Sequence, residues 1–230
     1  LQVANTGILR SGTDLHMINV SKTYVCHWTK LSERKQYMQQ HLAEAGINDV
    51  VWVENYDKNN WNEDEIRIDY PKAFNVMSID NRKMRNSEIS LALKHCWIIK
   101  DIFTHMYDSA LILEDDVLLC SDFVNTFNRF KQDLPADWDC CWVGTCCNIH
   151  AEVIPGKNVY HGGKSRCTHA FMVSHRGAVK MLPLLSSLDA PADHFYNKLI
   201  AEANLNNFWF EPSLVEQRND MFATSIHNET

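Results

Sequence analysis

The apolar run Ala110-Leu111-Ile112-Leu113 breaks directly into three carboxylates, Glu114, Asp115 and Asp116. A short, wholly apolar segment reads as a buried strand, and acids at its carboxyl end stand where open α/β sheets bind ligands. Three adjacent anions repel one another, and a divalent cation with oxygen ligands, magnesium or manganese, relieves that repulsion. In extended geometry Glu114 and Asp116 face one way and Asp115 the other. Two carboxylates on one face can hold a metal and a ribose hydroxyl, the metal then neutralising a departing diphosphate. Other readings compete. Solvated acids also cap a following helix. An aspartyl-nucleophile phosphatase or a receiver domain likewise has acids after an apolar strand, but the phosphatase wants D-x-D-x-T and here Val117 and Leu118 follow.

Further titratable residues stand apart from the triplet. Asp193 follows Pro191 at the head of a predicted helix, with His194 beside it as a group that titrates near neutral pH. Glu88 and His95 are seven residues apart, two helical turns, and so face the same side of one predicted helix, toward one cleft. Arg82, Lys83 and Arg85 form a basic cluster suited to phosphate, or a solvated charge run. Cys26-His27 and Cys167-x-His169 are the only hints of thiolate-imidazole metal spacing; each also reads as a strand residue beside a polar one.

The elements that would position these groups alternate. Thr23 to Trp28 is a strand, Lys30 to Ala45 an amphipathic helix, and Val50 to Val53 a second strand. Residues 54 to 85 are polar and irregular, the mark of a functional loop or of a disordered one. Ser87 caps a helix to about Met106, and the triplet strand follows. A helix near Asp122 to Gln132 leads to a strand at Cys140 to Val143. Strands near Val159 to His161 and Cys167 to Val173 precede a helix opened by Ser174 and ended by Pro183. Asp193 to Asn204 is helical, and Phe208 to Phe210 is a last strand. Strands alternating with helices of this length predict an α/β fold with a mostly parallel central sheet flanked by helices.

A chain of 230 residues with 45% apolar residues can bury one substantial core. The formal charge of -7 argues against a nucleic-acid-binding protein, which needs a basic face. No apolar run is long enough to span a bilayer and no secretory leader opens the chain, which predicts a cytoplasmic protein with no membrane span. The eight cysteines include the adjacent pairs Cys140-Cys141 and Cys146-Cys147, which suit neither zinc nor a disulfide framework, so reduced thiols are expected. Residues 1 to 16 carry no sustained period and end in His16-Met17, the look of an expression tag or linker remnant before a start codon. A single domain is expected over residues 17 to 230.

Several motifs occur in an order that resembles glycosyltransferase family 25, the group of lipooligosaccharide and collagen galactosyltransferases. Ser87-Glu88-Ile89-Ser90 with Ala92-Leu93-Lys94-His95 is similar to G-E-I-G-C-A-L-S-H, and Leu111 to Val117 matches L-I-L-E-D-D-V. Leu134 to Asp139 resembles L-P-x-D-W-D. Thr168 to Ser174, with Gly177-Ala178, resembles T-x-A-Y-L-I-S-x-x-G-A. Pro191-Ala192-Asp193 is similar to a P-x-D element, and Glu211-Pro212 with Gln217 to the closing E-P and Q.

The resemblance, from about residue 23 to 226, implies a GT-A catalytic domain and a hexosyltransferase-like enzyme. It also implies a nucleotide-sugar donor, usually UDP-linked, a glycan or glycoprotein acceptor, Mn2+ or Mg2+, and inversion at the anomeric carbon. It makes Asp193 the catalytic base, and Asp116, Glu114 and the tail histidine His227 the metal ligands. Glu88, His95, Glu114, Asp115, Arg82 and Arg85 become the donor-binding set. Members in large DNA viruses of the chlorovirus type glycosylate their own capsids, and a cysteine-rich chain of the host cytoplasm suits that setting. Departures fall on the donor side. The first strand reads Val25-Cys26-His27-Trp28 in place of I-N-L, Arg34 is the only matching arginine of the turn after it, and Ser87 and Ser90 replace glycines. A catalytically inactive GT-A carbohydrate-binding module and a metal-dependent phosphohydrolase are the alternatives.

Overall fold

The computed structural model describes residues 17–58, 60–77, 79–144, 152–218 and 220–222. The proposed tag remnant, Cys146, Cys147 and His227 lie outside these.

In chain order the described elements begin with β1 (Lys22–Cys26), α1 (Ser32–Glu44), β2 (Val50–Val53), α2 (Glu63–Asp69), α3 (Asn86–Thr104) and β3 (Ser109–Glu114). There follow β4 (Val117–Leu119), α4 (Phe123–Gln132), β5 (Cys140–Gly144), β6 (Val159–His161) and β7 (Ala170–Ser174). The last are α5 (His175–Met181), a 3-10 helix (Leu182–Ser187), α6 (Ala192–Glu202), β8 (Asn207–Phe210) and β9 (Val215–Gln217). The segment expected to be irregular, 54 to 85, contains α2. Asn62 caps it by accepting from the Asp64 N–H, and Glu63, Asp64 and Glu65 fill its first turn, where acids complement the helix dipole. Only Ile66 is buried in it, too little apolar signal to show a period.

Seven strands make one sheet in the order β2-β1-β3-β7-β5-β8-β6, and β4 pairs with β9 in a second, two-stranded one. The pairings β1-β2, β1-β3 and β5-β8 are parallel, while β7 is antiparallel to both β3 and β5, and β6 is antiparallel to β8. Five of the seven strands therefore run one way. This is the mostly parallel α/β sheet that the sequence predicts.

Strand periodicity divides the core in two. Tyr24, Ile112, Trp142, Phe171 and Trp209 enter one apolar cluster with α3, α5 and α6. Their neighbours Val25, Leu111, Val143, Met172 and Phe210 enter the other, with α1 and α4. A sheet covered on both faces needs side chains apolar on both sides, which is why these strands show runs and not alternation. The carboxyl ends of β1, β2, β3, β5 and β8 share one edge. Because β7 runs the other way, its amino end comes to the same edge, and Thr168 and His169 arrive beside Glu114.

Candidate active site at the carboxyl edge of the sheet

Glu114 ends β3 on the face of α3 and α6. Its backbone N–H donates to His169 O at 3.0 Å, and the Thr168 hydroxyl donates to Glu114 Oε1 at 2.8 Å. Asp115, one residue on, turns to the opposite face and meets α1. There Arg34 Nη1 donates to Asp115 Oδ1 at 2.9 Å and to Asp116 Oδ2 at 2.8 Å, and His27 Nδ1 lies 2.7 Å from Asp115 Oδ2. All four residues are buried. The expectation that Asp116 faces with Glu114 and away from Asp115 is corrected here. The chain turns at Asp115-Asp116 before β4 begins, so strand alternation stops at Glu114 and one guanidinium reaches both aspartates.

Two of these carboxyls, Glu114 and Asp116, are shifted from their ordinary range. Desolvation, and then the neighbouring Asp116, push Glu114 up to about 8 against the opposing Thr168 hydrogen bond. Burial also raises Asp116, with Arg34 and Gln217 acting the other way. Asp116 Oδ1 is buried without a hydrogen-bond partner. A buried Asp116 oxygen without a partner, close to the second buried carboxyl of Glu114, is a donor set that fits a divalent cation. Among the described residues no group of three or more His, Cys, Asp or Glu is arranged to hold a metal.

One cavity opens beside the triplet, lined by His27, Trp28, Arg34, Lys58, Lys94 and Gln217 among others. Buried Lys94 donates to Asn55 O at 2.7 Å and Asp57 Oδ1 at 2.8 Å, and Thr29 N–H donates to Asp57 Oδ2 at 3.1 Å. These bonds tie the turn after β2 to α3 and to the turn after β1. Lys58 lies 4.1 Å over the Trp28 ring. A second cavity shares Glu114, Leu91 and Gln217 with the first and is lined in addition by Thr168, Arg166, Asp193 and His194. Asp193 thus faces Glu114 across one cleft. Burial raises its carboxyl above the ordinary range, opposed by the His194 N–H and by Arg166, which makes it a better proton acceptor.

The cleft does not gather every predicted residue. Glu88 and Arg82 line the second cavity and not the first, clasped together by Arg82 Nη1 and Nη2 to the two Glu88 oxygens at 2.7 Å each. Arg85 lines neither cavity and starts α3, its N–H donating to Glu88 Oε2. His95 is in the core, with Nδ1 3.1 Å from the Tyr196 hydroxyl and its pKa lowered to about 3 by burial. Seven residues keep a helical face but climb about 10 Å, which takes His95 below the cleft floor. His169 is also buried, Nε2 lying 3.2 Å from Val215 O. Cys167 is disulfide-bonded, which corrects the expectation of reduced thiols throughout. A large core removes the need for a staple in the sheet, not in a segment such as that before β7. Cys26, Cys96, Cys120, Cys140 and Cys141 are free. His27, Lys58, Lys94, Thr168 and Arg166 carry no spacing signal toward the triplet; the fold alone assembles them.

The family described as Glycosyltransferase family 25 (LPS biosynthesis protein) matches residues 20–151. Among solved structures the chain is similar to a mannose-1-phosphate geranyltransferase from Thermus thermophilus, at 9% identity and a TM-score of 0.43, over 82% of this chain and 72% of that one. Among curated proteins there is no match.

Proposed function

Because this chain belongs to glycosyltransferase family 25, we propose that it transfers a sugar from a UDP-linked donor to a hydroxyl of a glycan or glycoprotein, with inversion and with a divalent metal. The observation that supports this reading is the pairing, across one cleft, of an acid triplet at the sheet edge with a second, half-buried carboxylate, Asp193.

In this reading the donor lies in the cavity beside the triplet. Trp28 and Lys58 flank the nucleoside, and Arg34 and His27 hold Asp115 so that its charge is compensated inside a low-dielectric pocket. Glu114 and Asp116 would hold Mn2+ or Mg2+, with His227 a third candidate. The bound ion would neutralise the charge that develops on the diphosphate. Thr168 orients Glu114. Asp193 takes the proton of the acceptor hydroxyl as that oxygen attacks the anomeric carbon, and the carbon–oxygen bond to the diphosphate breaks on the opposite face.

The test is UDP release from a panel of UDP-sugars, with manganese and with excess chelator, for the native protein and Asp116→Ala. Both chelation and the substitution are expected to abolish turnover. Full activity in chelator would remove the metal from the reading, and phosphate release from a simple ester with no sugar present would favour a phosphohydrolase.

A further inference from the structure

The cleft continues past Asp193. A groove of about 670 Å³, within the range of small-ligand sites, shares Arg166 and His194 with the cavity that holds Asp193 and adds Ile79, Lys164, Ser165 and Asn197. We infer that this groove is the acceptor site and that it selects an acceptor sugar carrying an anionic group, a carboxylate or a phosphate, which Arg166 and Lys164 bind. The inference rests on the transferase reading, since it takes the donor to occupy the other end of the cleft.

The segment carrying the two cations is fixed in place. Asn197 on α6 accepts from the Ser165 N–H at 3.3 Å and donates to Ser165 O at 2.7 Å. Ser165 is buried while Lys164 and Arg166 on either side of it are exposed. Arg166 Nη1 lies 3.2 Å from His194 Nε2, and because a guanidinium only donates, that nitrogen accepts. One arm of the Arg166 fork is thereby held at the cleft wall, and the rest of it lines the groove.

Charge decides what the groove takes. Arg34, Arg67, Arg82, Arg176 and Arg218 all form ion pairs with carboxylates. Among the described residues neither Arg166 nor Lys164 does, although Asp193 is close enough to Arg166 to feel its field. Lys198 is engaged by Asp189 at 2.9 Å and adds no free charge. Glu202, the remaining acid of the groove, is eight residues along α6 from His194, about 12 Å away. A planar fork with unengaged N–H groups is the donor arrangement that carboxylate and phosphate oxygens match.

A glycan array with matched neutral, carboxylate-bearing and phosphate-bearing sugars, such as a glucoside and its glucuronide, or glucose and glucose 6-phosphate, tests this on the full chain with UDP and manganese present. Retention on one anionic class should exceed its neutral match roughly tenfold or more, the effect of a charge-assisted hydrogen-bond pair. Which class is retained distinguishes carboxylate from phosphate. The double variant Arg166→Ala, Lys164→Ala should lose the preference and keep UDP affinity by calorimetry. Equal retention of neutral sugars, no retention of any anionic sugar, or a preference that survives the double variant overturns the inference. Failure of the native protein to bind UDP strikes instead at the proposed donor site.

Discussion

Arg34 compensates two buried carboxylates at once, and that makes it the most vulnerable point in the chemistry of the donor cavity. Arg34→Met would leave Asp115 and Asp116 without that counter-charge in a site shielded from water. Removing one partner of a buried pair costs about 3–5 kcal/mol, so the denaturation midpoint should fall accordingly, and added manganese should restore part of the loss if the cation binds where proposed. Asp193 calls for a different measurement. Asp193→Asn keeps the size and polarity of the side chain at the start of α6, so UDP affinity and stability should hold while transfer to acceptor falls roughly a hundredfold or more. Loss of UDP binding in that variant would make Asp193 a donor-side residue. At this scale Glu114, Asp116 and Asp193 are legible in the sequence, because each stands in a short local motif. His27, Lys94 and Arg166 are not, because their meaning lies in partners 88, 37 and 28 residues away.

Among the elements, the strands β1, β2, β3, β5 and β8 are readable from apolar runs with turn signals between them, and α1, α3 and α4 from apolar periods. β4 and β9 are not, since each is three residues long and lies beside a polar or turn-forming segment that masks it, yet β9 brings Gln217 to the cleft. Their placement depends on a close approach at Gly144, where an added Cβ would lie 2.3 Å from Val215 O and 2.5 Å from Val215 Cβ. Gly144→Ala must push β9 off β5. An overpacking cost of about 1–3 kcal/mol is expected. Because β9 carries Gln217 into the cleft, UDP affinity should also drop, and calorimetry together with thermal melting separates the two effects. A variant that melts early but binds UDP normally would show that β9 does not shape the donor cavity.

For the molecule as a whole, two buried histidines make a contribution to stability that acid removes, opposite in sign to that of the raised Glu114 carboxyl. Burial lowers His95 to about 3 and His169 to about 4, while in the unfolded chain both titrate near 6.5. The unfolded state therefore binds more protons than the folded one below pH 6.5. Stability from these two residues is complete above that pH and is lost as pH falls through the folded values. His95→Gln, which can still pair with the Tyr196 hydroxyl, should flatten the fall in stability between pH 6.5 and 4, measured by denaturant titration at several pH values. An unchanged slope would assign the acid sensitivity to other groups.

The position of β9 has a further consequence, one of timing. The sheet, the acid triplet and Asp193 are all encoded before Val215. The segment that roofs them comes afterwards: Arg218 N–H donates to Asp116 O at 2.7 Å, and the Phe222 ring packs 5.2 Å from the Arg34 guanidinium. Synthesis therefore delivers the other described walls of the cleft first. Until residues through Phe222 have been made, a nascent copy carries Arg34 and Asp116 open to water on that side, so the pocket gains its low-dielectric character only after the rest of the sheet has been synthesised.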